Sequence, residues 1–169
     1  MDRNTEPVEL EPLTEHNLTL LLEAAVADAD PLEVMPPVDG EPGWNAERRQ
    51  AFLEFHRGRA LAEDAPVEYT YVIVVGGRAV GAARLQPGDA GLEAGVWIGR
   101  SDRGRGVGKA VAEQLRGVAA ELGVRQIVAV TTVDNSAARR LLEAASATVS
   151  GDTVTATLVL DQRTPRAAR

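Results

Sequence analysis

The chain has 169 residues, a hydrophobic content of 44% and a formal net charge of −7, the balance of an ordinary soluble domain rather than of a membrane protein. It has no cysteine and two histidines, so disulfides, a thiolate nucleophile and a metal site are not expected. A polar N terminus and the lack of a long apolar run predict no signal peptide and no membrane span, and therefore a cytoplasmic protein.

The length predicts a single domain, residues 1–169, with its core over about 7–161 and flexible tails at 1–6 and 162–169. In chain order, a first strand is predicted at 8–10, followed by a helix that Thr14 caps. The stretch 31–42 is rich in proline, glycine and acid, and predicts an irregular loop. Asn45 is expected to cap a second helix, 46–61, with Phe52 and Phe55 on its apolar side.

The second half alternates strand and helix patterns. Strands at 69–75 and 78–85 flank the turn Gly76-Gly77, and a second turn, 87–91, leads to a strand at 92–98. A helix at 109–122 ends at Gly123, and a strand at 126–131 and a short helix at 136–145 follow. A closing hairpin joins Val149 to 153–160. This order predicts an α/β fold with a mixed, mostly antiparallel sheet and flanking helices.

The strand at 92–98 and the next helix are joined by the run Arg103-Gly104-Arg105-Gly106-Val107-Gly108. Glycines leave backbone N–H groups uncovered, and the helix adds its own unpaired N–H groups and its positive dipole end. Such an arrangement binds a phosphate or a diphosphate. The spacing fits neither a P-loop nor a dinucleotide fingerprint. A turn that needs glycine only for tight packing is the alternative.

The pattern Arg103-x-x-Gly106-x-Gly108 resembles the acetyl-CoA-binding motif of the GNAT superfamily of N-acetyltransferases. Asn135-x-x-Ala138 lies where that family has its second motif, although Leu142 stands where many members have a tyrosine. The segment 92–98 is similar to the Glu-x-Gly-x-Trp strand of the ribosomal-protein N-terminal acetyltransferase branch. The resemblance implies a GNAT-like fold with a splayed strand pair, and acetyl-CoA as cosubstrate.

The same resemblance assigns roles to residues. Backbone groups on the strand before the turn, at Val96, Trp97 and Ile98, would bind the pantetheine arm. The turn would bind the diphosphate, and it comprises Arg103, Gly104, Arg105, Gly106, Val107, Gly108 and Lys109. The second motif would contact the cofactor through Asn135 and Ala138. The two arginines could instead be solvated. Asn135 could instead cap a helix.

Two residues are candidates for catalysis. The N–H of Val96 would face the thioester oxygen and stabilise an oxyanion. Glu93 is the candidate base that removes a proton from the acceptor amine, directly or through water. Alternatively, Glu93 faces solvent or pairs with Arg84 on the neighbouring strand. Because the tyrosine is missing, Ser136 or a water could protonate the thiolate, or the thiolate could leave unassisted.

Charge is distributed unevenly along the chain. Residues 1–70 carry 16 acidic and 5 basic side chains, and residues 71–169 carry 9 and 13. The acidic half could attract a cationic amine, or it could only keep the protein soluble. We therefore expect a small-molecule amine or a peptide N-terminus as the acceptor, and no nucleic acid or membrane partner. The family resemblance adds a homodimer as a candidate assembly.

The positions of three further residues predict their roles. Trp44 could line the acceptor pocket or anchor the core. His16 and His56 are interpreted as structural or surface residues of their helices.

The alternative function is a CoA-binding sensor or structural protein without transferase activity, and an unrelated module that binds a sugar phosphate or nucleotide is a third possibility.

Overall fold

The computed structural model describes residues 6–63, 68–88, 91–132, 148–150 and 153–159. The predicted tails, apart from residue 6, and the predicted helix at 136–145 lie outside these ranges. The elements, in chain order, are β1 Val8–Pro12, α1 Glu15–Asp28, α2 Pro31–Val34, α3 Ala46–Ala60, β2 Tyr69–Val75, β3 Arg78–Gly88, β4 Gly91–Ile98, α4 Val107–Glu121, β5 Gln126–Thr132, β6 Thr148–Ser150 and β7 Thr153–Val159.

The strands form one seven-stranded sheet in the order β1-β2-β3-β4-β5-β7-β6. The β4–β5 pair is parallel, and the other neighbouring pairs are antiparallel. The predicted α/β class with a mixed, mostly antiparallel sheet is confirmed.

Each face of the sheet carries its own core, as the period of two along the strands requires. On β2, Val72 and Val74 pack under α1 and α3, whereas Ile73 and Val75 face α4. The amphipathic spacing of α1 buries Leu18, Leu21 and Ala25, and that of α4 buries Val111, Leu115 and Ala119. The first layer will be called the α1/α3 face and the second the α4 face.

The predicted helix caps are confirmed in atomic detail. Thr14 and Asn17 form a capping box, in which each side chain accepts a hydrogen bond from the other residue's backbone N–H. The side chain of Asn45 accepts from the N–H of Arg48 at 2.9 Å. Gly123, with φ +74°, lies just after α4.

Some of the predicted local structure was wrong. The stretch 31–42 is not wholly irregular, because Asp30 caps the short helix α2 and Pro31 occupies its first position. Helix α4 begins at Val107, two residues early, since glycine at its second position does not prevent helical geometry. Strand β3 continues to Gly88 and β4 begins at Gly91, so Pro87, Gly88 and Gly91 of the predicted turn at 87–91 belong to strands, and residues 89–90 lie outside the described ranges. A short 3-10 turn, Arg100–Asp102, follows β4.

Candidate active site

Strands β4 and β5 part halfway along β4. Their parallel register pairs Leu92 with Ile127 and Ala94 with Ala129, and no described pairing follows. Beyond this point β4 remains paired with β3 as far as Ile98, and β5 remains paired with β7 as far as Thr132. The two neighbours therefore leave a gap between them, opposite residues 95–98.

Backbone groups of β4 point into this gap. The N–H of Gly99 donates to the carbonyl of Val80 on β3. Because backbone direction alternates along a strand, the N–H of Val96 and the carbonyl of Ile98 face away from β3, toward the gap. The side chain of Val96 is 41% exposed, unusual for a valine in a central strand. The backbone of Trp97, in contrast, faces β3, which does not favour the predicted backbone contact of this residue with a cofactor.

The glycine run adopts the conformations that the motif requires. Gly104 and Gly106 have φ of +74° and +82°, a left-handed region that favours glycine. A Cβ at either position would meet no heavy atom within 4 Å, so tight packing does not explain these glycines. Gly106 caps α4 without a side chain, and the first turn of α4 contains no acidic residue. The N–H groups of Val107, Gly108 and Lys109 therefore form an anion cradle that suits a diphosphate.

The two arginines of the run differ in their surroundings. Arg103 donates from Nε to the carbonyl of Ile98 at 2.8 Å and from Nη2 to Glu33 of α2 at 2.7 Å. Arg100 also contacts Glu33, at 3.3 Å, and Asp28 accepts from the N–H and the hydroxyl of Ser101. Arg105 and Lys109 are exposed and form no ion pair among the described residues.

Glu93 lies on the α1/α3 face, two residues before Gly95, and its side chain is exposed. The alternative pairing with Arg84 is not observed, because Arg84 contacts Glu68 instead, at 3.6 Å. Val96 lies three residues along β4, about 10 Å away at strand spacing. A proton transfer between Glu93 and a group bound near Val96 would therefore pass through water.

Sequence reasoning missed a polar cluster on the α1/α3 face, formed by His56 and Arg59 of α3, by Glu68, and by Arg84 of β3. Trp97 of β4 packs on the same face. Glu68 is buried and accepts from Arg59 at 3.0 Å and from the hydroxyl of Thr70 at 3.1 Å. His56 is 1% exposed, whereas His16 is exposed. The position of His56, four residues after the buried Phe52 on α3, was the available signal for its burial.

Trp44 anchors the core. Its Nε1 donates to the carbonyl of Ala29 at 2.9 Å, and its ring contacts that of Phe52 edge-on, with centroids 5.8 Å apart. The predicted second-motif residues Asn135 and Ala138, together with Ser136 and Leu142, lie outside the described residues.

The fold and the site define a GNAT-like α/β protein, with a parted parallel strand pair in front of a glycine-bounded helix N terminus. The sequence itself matches the model of the acetyltransferase (GNAT) domain over residues 8–148. The chain therefore belongs to the GNAT family and is an acetyltransferase. No curated protein sequence matches it significantly.

Solved structures share the fold. The spermidine/spermine N-acetyltransferase SpeG from Vibrio cholerae is 14% identical, with a TM-score of 0.65, and the match covers 90% of this chain and 94% of that one. RimL, a ribosomal L7/L12 alpha-N-protein acetyltransferase solved with coenzyme A, is 18% identical, with a TM-score of 0.69 and coverage of 94% and 96%. The GNAT domain of PAT from S. lividans is 18% identical, with a TM-score of 0.66 and coverage of 90% of each chain.

Within the described part of the chain, no helix is both long and apolar enough to cross a membrane.

Proposed function

We propose that this protein transfers an acetyl group from acetyl-CoA directly to a primary amine of a small cationic molecule or a peptide N-terminus. One observation carries the proposal: β4 leaves β5 after Ala94, and α4, the next α-helix along the chain, has no side-chain cap at its N terminus. The likeness to SpeG and RimL, whose names specify a polyamine and a protein N-terminus, is consistent with both acceptor types. A cytoplasmic location and a homodimer stay predictions.

The geometry of the described residues supports most of the proposed cofactor contacts. The diphosphate would bind the N–H groups at the start of α4, where Gly104 and Gly106 leave open space. Arg105 and Lys109 would add positive charge, while Arg103 would need to exchange Glu33 for phosphate. The pantetheine arm would lie in the gap beside Val96 and Ile98. Asn135 and Ala138 remain proposed contacts by resemblance.

In the proposed reaction the amine nitrogen attacks the thioester carbonyl, the carbon–sulfur bond breaks, and CoA leaves as a thiolate. The N–H of Val96, directed into the gap, would stabilise the negative oxygen of the transition state. Glu93 would accept the proton that the amine loses, through water. The absence of cysteine excludes a cysteine acyl-enzyme.

The test has two parts. Calorimetry with CoA measures binding, and a thiol-reactive dye measures CoA released from acetyl-CoA with a panel of primary amines. The proposal requires saturable binding and amine-dependent thiol release. Binding without release would support the alternative of a CoA-binding sensor or structural protein, and the absence of binding would contradict both.

Glu93→Gln should lower kcat for the best amine by about 100-fold, the usual contribution of a general base. The variant should also lose the acidic limb of the pH–rate profile, because the amide cannot accept the proton. Glu113→Gln, an exposed position on α4 across the sheet, is the matched control and should leave the profile intact. An unchanged profile for Glu93→Gln would reject its role as base.

A further inference from the structure

Three buried polar side-chain atoms among the described residues have no hydrogen-bond partner: Nδ1 and Nε2 of His56 and Nε1 of Trp97. All three belong to side chains on the α1/α3 face. A buried polar group without a partner costs about 1–3 kcal/mol, so three in one layer need a reason. Apolar residues of similar size would fill the same space without this cost.

Arg84 connects the surroundings of His56 with the point where β4 parts from β5. The ring of His56 contacts Phe52 and Phe55 edge-on, at centroid distances of 4.6 and 5.2 Å. The guanidinium of Arg84 lies 5.2 Å from the Phe55 ring and comes within 3.6 Å of the position that a Cβ of Gly95 would occupy. Gly95 directly follows Ala94, the last residue of β4 that pairs with β5. It lies between Glu93 and Trp97 on the same face of the sheet.

Close to His56, the charges of Arg59 and Arg84 outweigh that of Glu68. Arg59 and Arg84 share the single buried carboxylate of Glu68, at 3.0 and 3.6 Å. Burial, and then the charges of Arg84 and Arg59, lower the pKa of His56 from 6.5 to about 4. A neutral imidazole offers one N–H and one acceptor nitrogen, and Trp97 and Arg84 offer only N–H groups. Gln86 accepts a second bond from Arg59, at 2.9 Å, but among the described residues no acceptor faces the free side-chain N–H groups of Arg84, His56 and Trp97.

We propose that His56, Arg84 and Trp97 form the part of the acceptor site that binds an oxygen atom of the acceptor. The acceptor would then be an amine with a carbonyl or carboxylate close to the nitrogen, as in an α-aminoacyl compound, rather than a polyamine. A polyamine offers no oxygen and would meet the charges of Arg59 and Arg84. This inference rests on the proposed function and narrows its acceptor class.

The approach of such a ligand follows from the exposure of these side chains. His56 is nearly inaccessible, whereas one third of the Arg84 side chain is exposed. Its contact with Glu68 is the longer of the two arginine contacts to that carboxylate. Arg84 would therefore turn toward the ligand oxygen, and this movement would open His56 and Trp97 to it.

The two tryptophans provide a direct test by NMR of the ¹⁵N-labelled protein with CoA bound. The indole N–H of Trp97 has no partner, whereas that of Trp44 is bonded to Ala29 and serves as an internal reference. Alaninamide, alanine and 1,4-diaminobutane are added in turn. The Trp97 signal should shift with alaninamide, alanine or both, which separates carbonyl from carboxylate recognition. A Trp97 signal that is unmoved, or moved equally by 1,4-diaminobutane, would overturn the proposal.

Kinetics test His56 itself. His56→Phe keeps the ring contacts and removes both nitrogens, so the protein should remain folded, while KM for the oxygen-bearing amine rises about tenfold, the effect of one lost hydrogen bond. KM for acetyl-CoA should not change, and His56→Gln, which keeps a donor and an acceptor, should recover part of the loss. His56→Leu serves if the phenylalanine variant does not fold.

The outcomes separate this inference from the proposed function. If no amine causes thiol release, the proposed function is contradicted. The Trp97 response is measured without turnover, so it tests the inference separately. Thiol release that is equal for 1,4-diaminobutane and alaninamide, and insensitive to His56→Phe, contradicts the inference and leaves the transferase intact.

Discussion

Arg103 and Arg105 flank Gly104 symmetrically in the sequence but have different surroundings in the fold. The guanidinium of Arg103 is bonded to Ile98 and Glu33, whereas that of Arg105 is free of ion pairs among the described residues. A phosphate that binds Arg103 must displace a carboxylate at 2.7 Å, but Arg105 has no such competitor. The two arginines should therefore contribute unequally to a bound diphosphate.

Arg105→Gln should raise the Kd for CoA by about tenfold, the effect of one lost charge-assisted hydrogen bond. Arg103→Gln should raise it by about threefold at most, since exposed ion pairs exchange at little net gain. Isothermal calorimetry at one fixed ionic strength measures both values, because such contacts weaken with salt. Equal losses for the two variants would contradict this assignment.

His56 makes the stability of the folded protein sensitive to acid. Its pKa is about 4 in the folded state, against 6.5 for the ordinary side chain, because burial and the charges of Arg84 and Arg59 oppose protonation. Glu68 is the anion that both arginines contact. Between these two values the unfolded chain binds a proton that the folded chain does not. The free energy of unfolding should therefore fall as pH decreases from about 6.5 to 4, by about 3 kcal/mol from this residue.

Urea unfolding of the wild type and of His56→Phe at several pH values isolates this contribution. As pH falls through that window, the free energy of unfolding should decrease more for the wild type than for His56→Phe. A constant difference from pH 7 to 4 would mean that His56 is not held neutral in the folded state.

At the scale of elements, helix α4 has a left-handed glycine just outside each end, and the two differ in their predicted role. Gly106 and Gly123 have φ of +82° and +74°, and a Cβ at either would meet open space. The backbone strain of an alanine is therefore similar at both positions, about 1–2 kcal/mol. Only Gly106 lies at the N terminus, where the proposed diphosphate binds.

Gly106→Ala should raise the Kd for CoA at least tenfold, because its Cβ would occupy space that the phosphates need close to the N–H groups. Gly106→Ala and Gly123→Ala should lower the melting temperature by similar amounts. Gly123→Ala should leave the Kd for CoA unchanged. Calorimetry and thermal unfolding of the two variants give both numbers. If Gly106→Ala bound CoA normally, the diphosphate would not lie at this turn.

At the scale of the whole molecule, the sheet is continuous from β1 to β6, and helices cover both of its faces. Val72 and Ile73 are adjacent on β2 but belong to opposite cores, so neither core can lose its order without disturbing the shared sheet. We therefore propose that the chain is one domain and unfolds as one cooperative unit.

This proposal predicts a single transition in urea. The fluorescence of Trp44 and Trp97, which lie on the α1/α3 face, and the far-UV circular dichroism of all elements should give coincident midpoints. The measurement is made without ligand, because CoA would stabilise the folded state by mass action. Two separated transitions would show that the parts of the chain unfold independently.

The sequence by itself determined what depends on neighbours along the chain. The Thr14–Asn17 and Asn45 caps, the hairpin turn at Gly76-Gly77 and the glycine run before α4 are local, because each is fixed by residues a few positions apart. Alternation in the strands and helical spacing then fixed the fold class. The short helix α2 was missed because it lies inside a stretch that proline and glycine mark as a loop, directly after its cap, Asp30.

Tertiary structure alone decided which distant residues meet. Arg103 pairs with Glu33, Arg84 contacts Glu68 rather than Glu93, and His56 is buried beside both arginines. A splayed strand pair was expected from the family resemblance, but no local pattern places the gap after Ala94, because it depends on the register between two strands that α4 separates. A local sequence pattern determines the conformation of its own segment. It does not determine which of several similar charges will form an ion pair, or which strand register will form, when the chain packs.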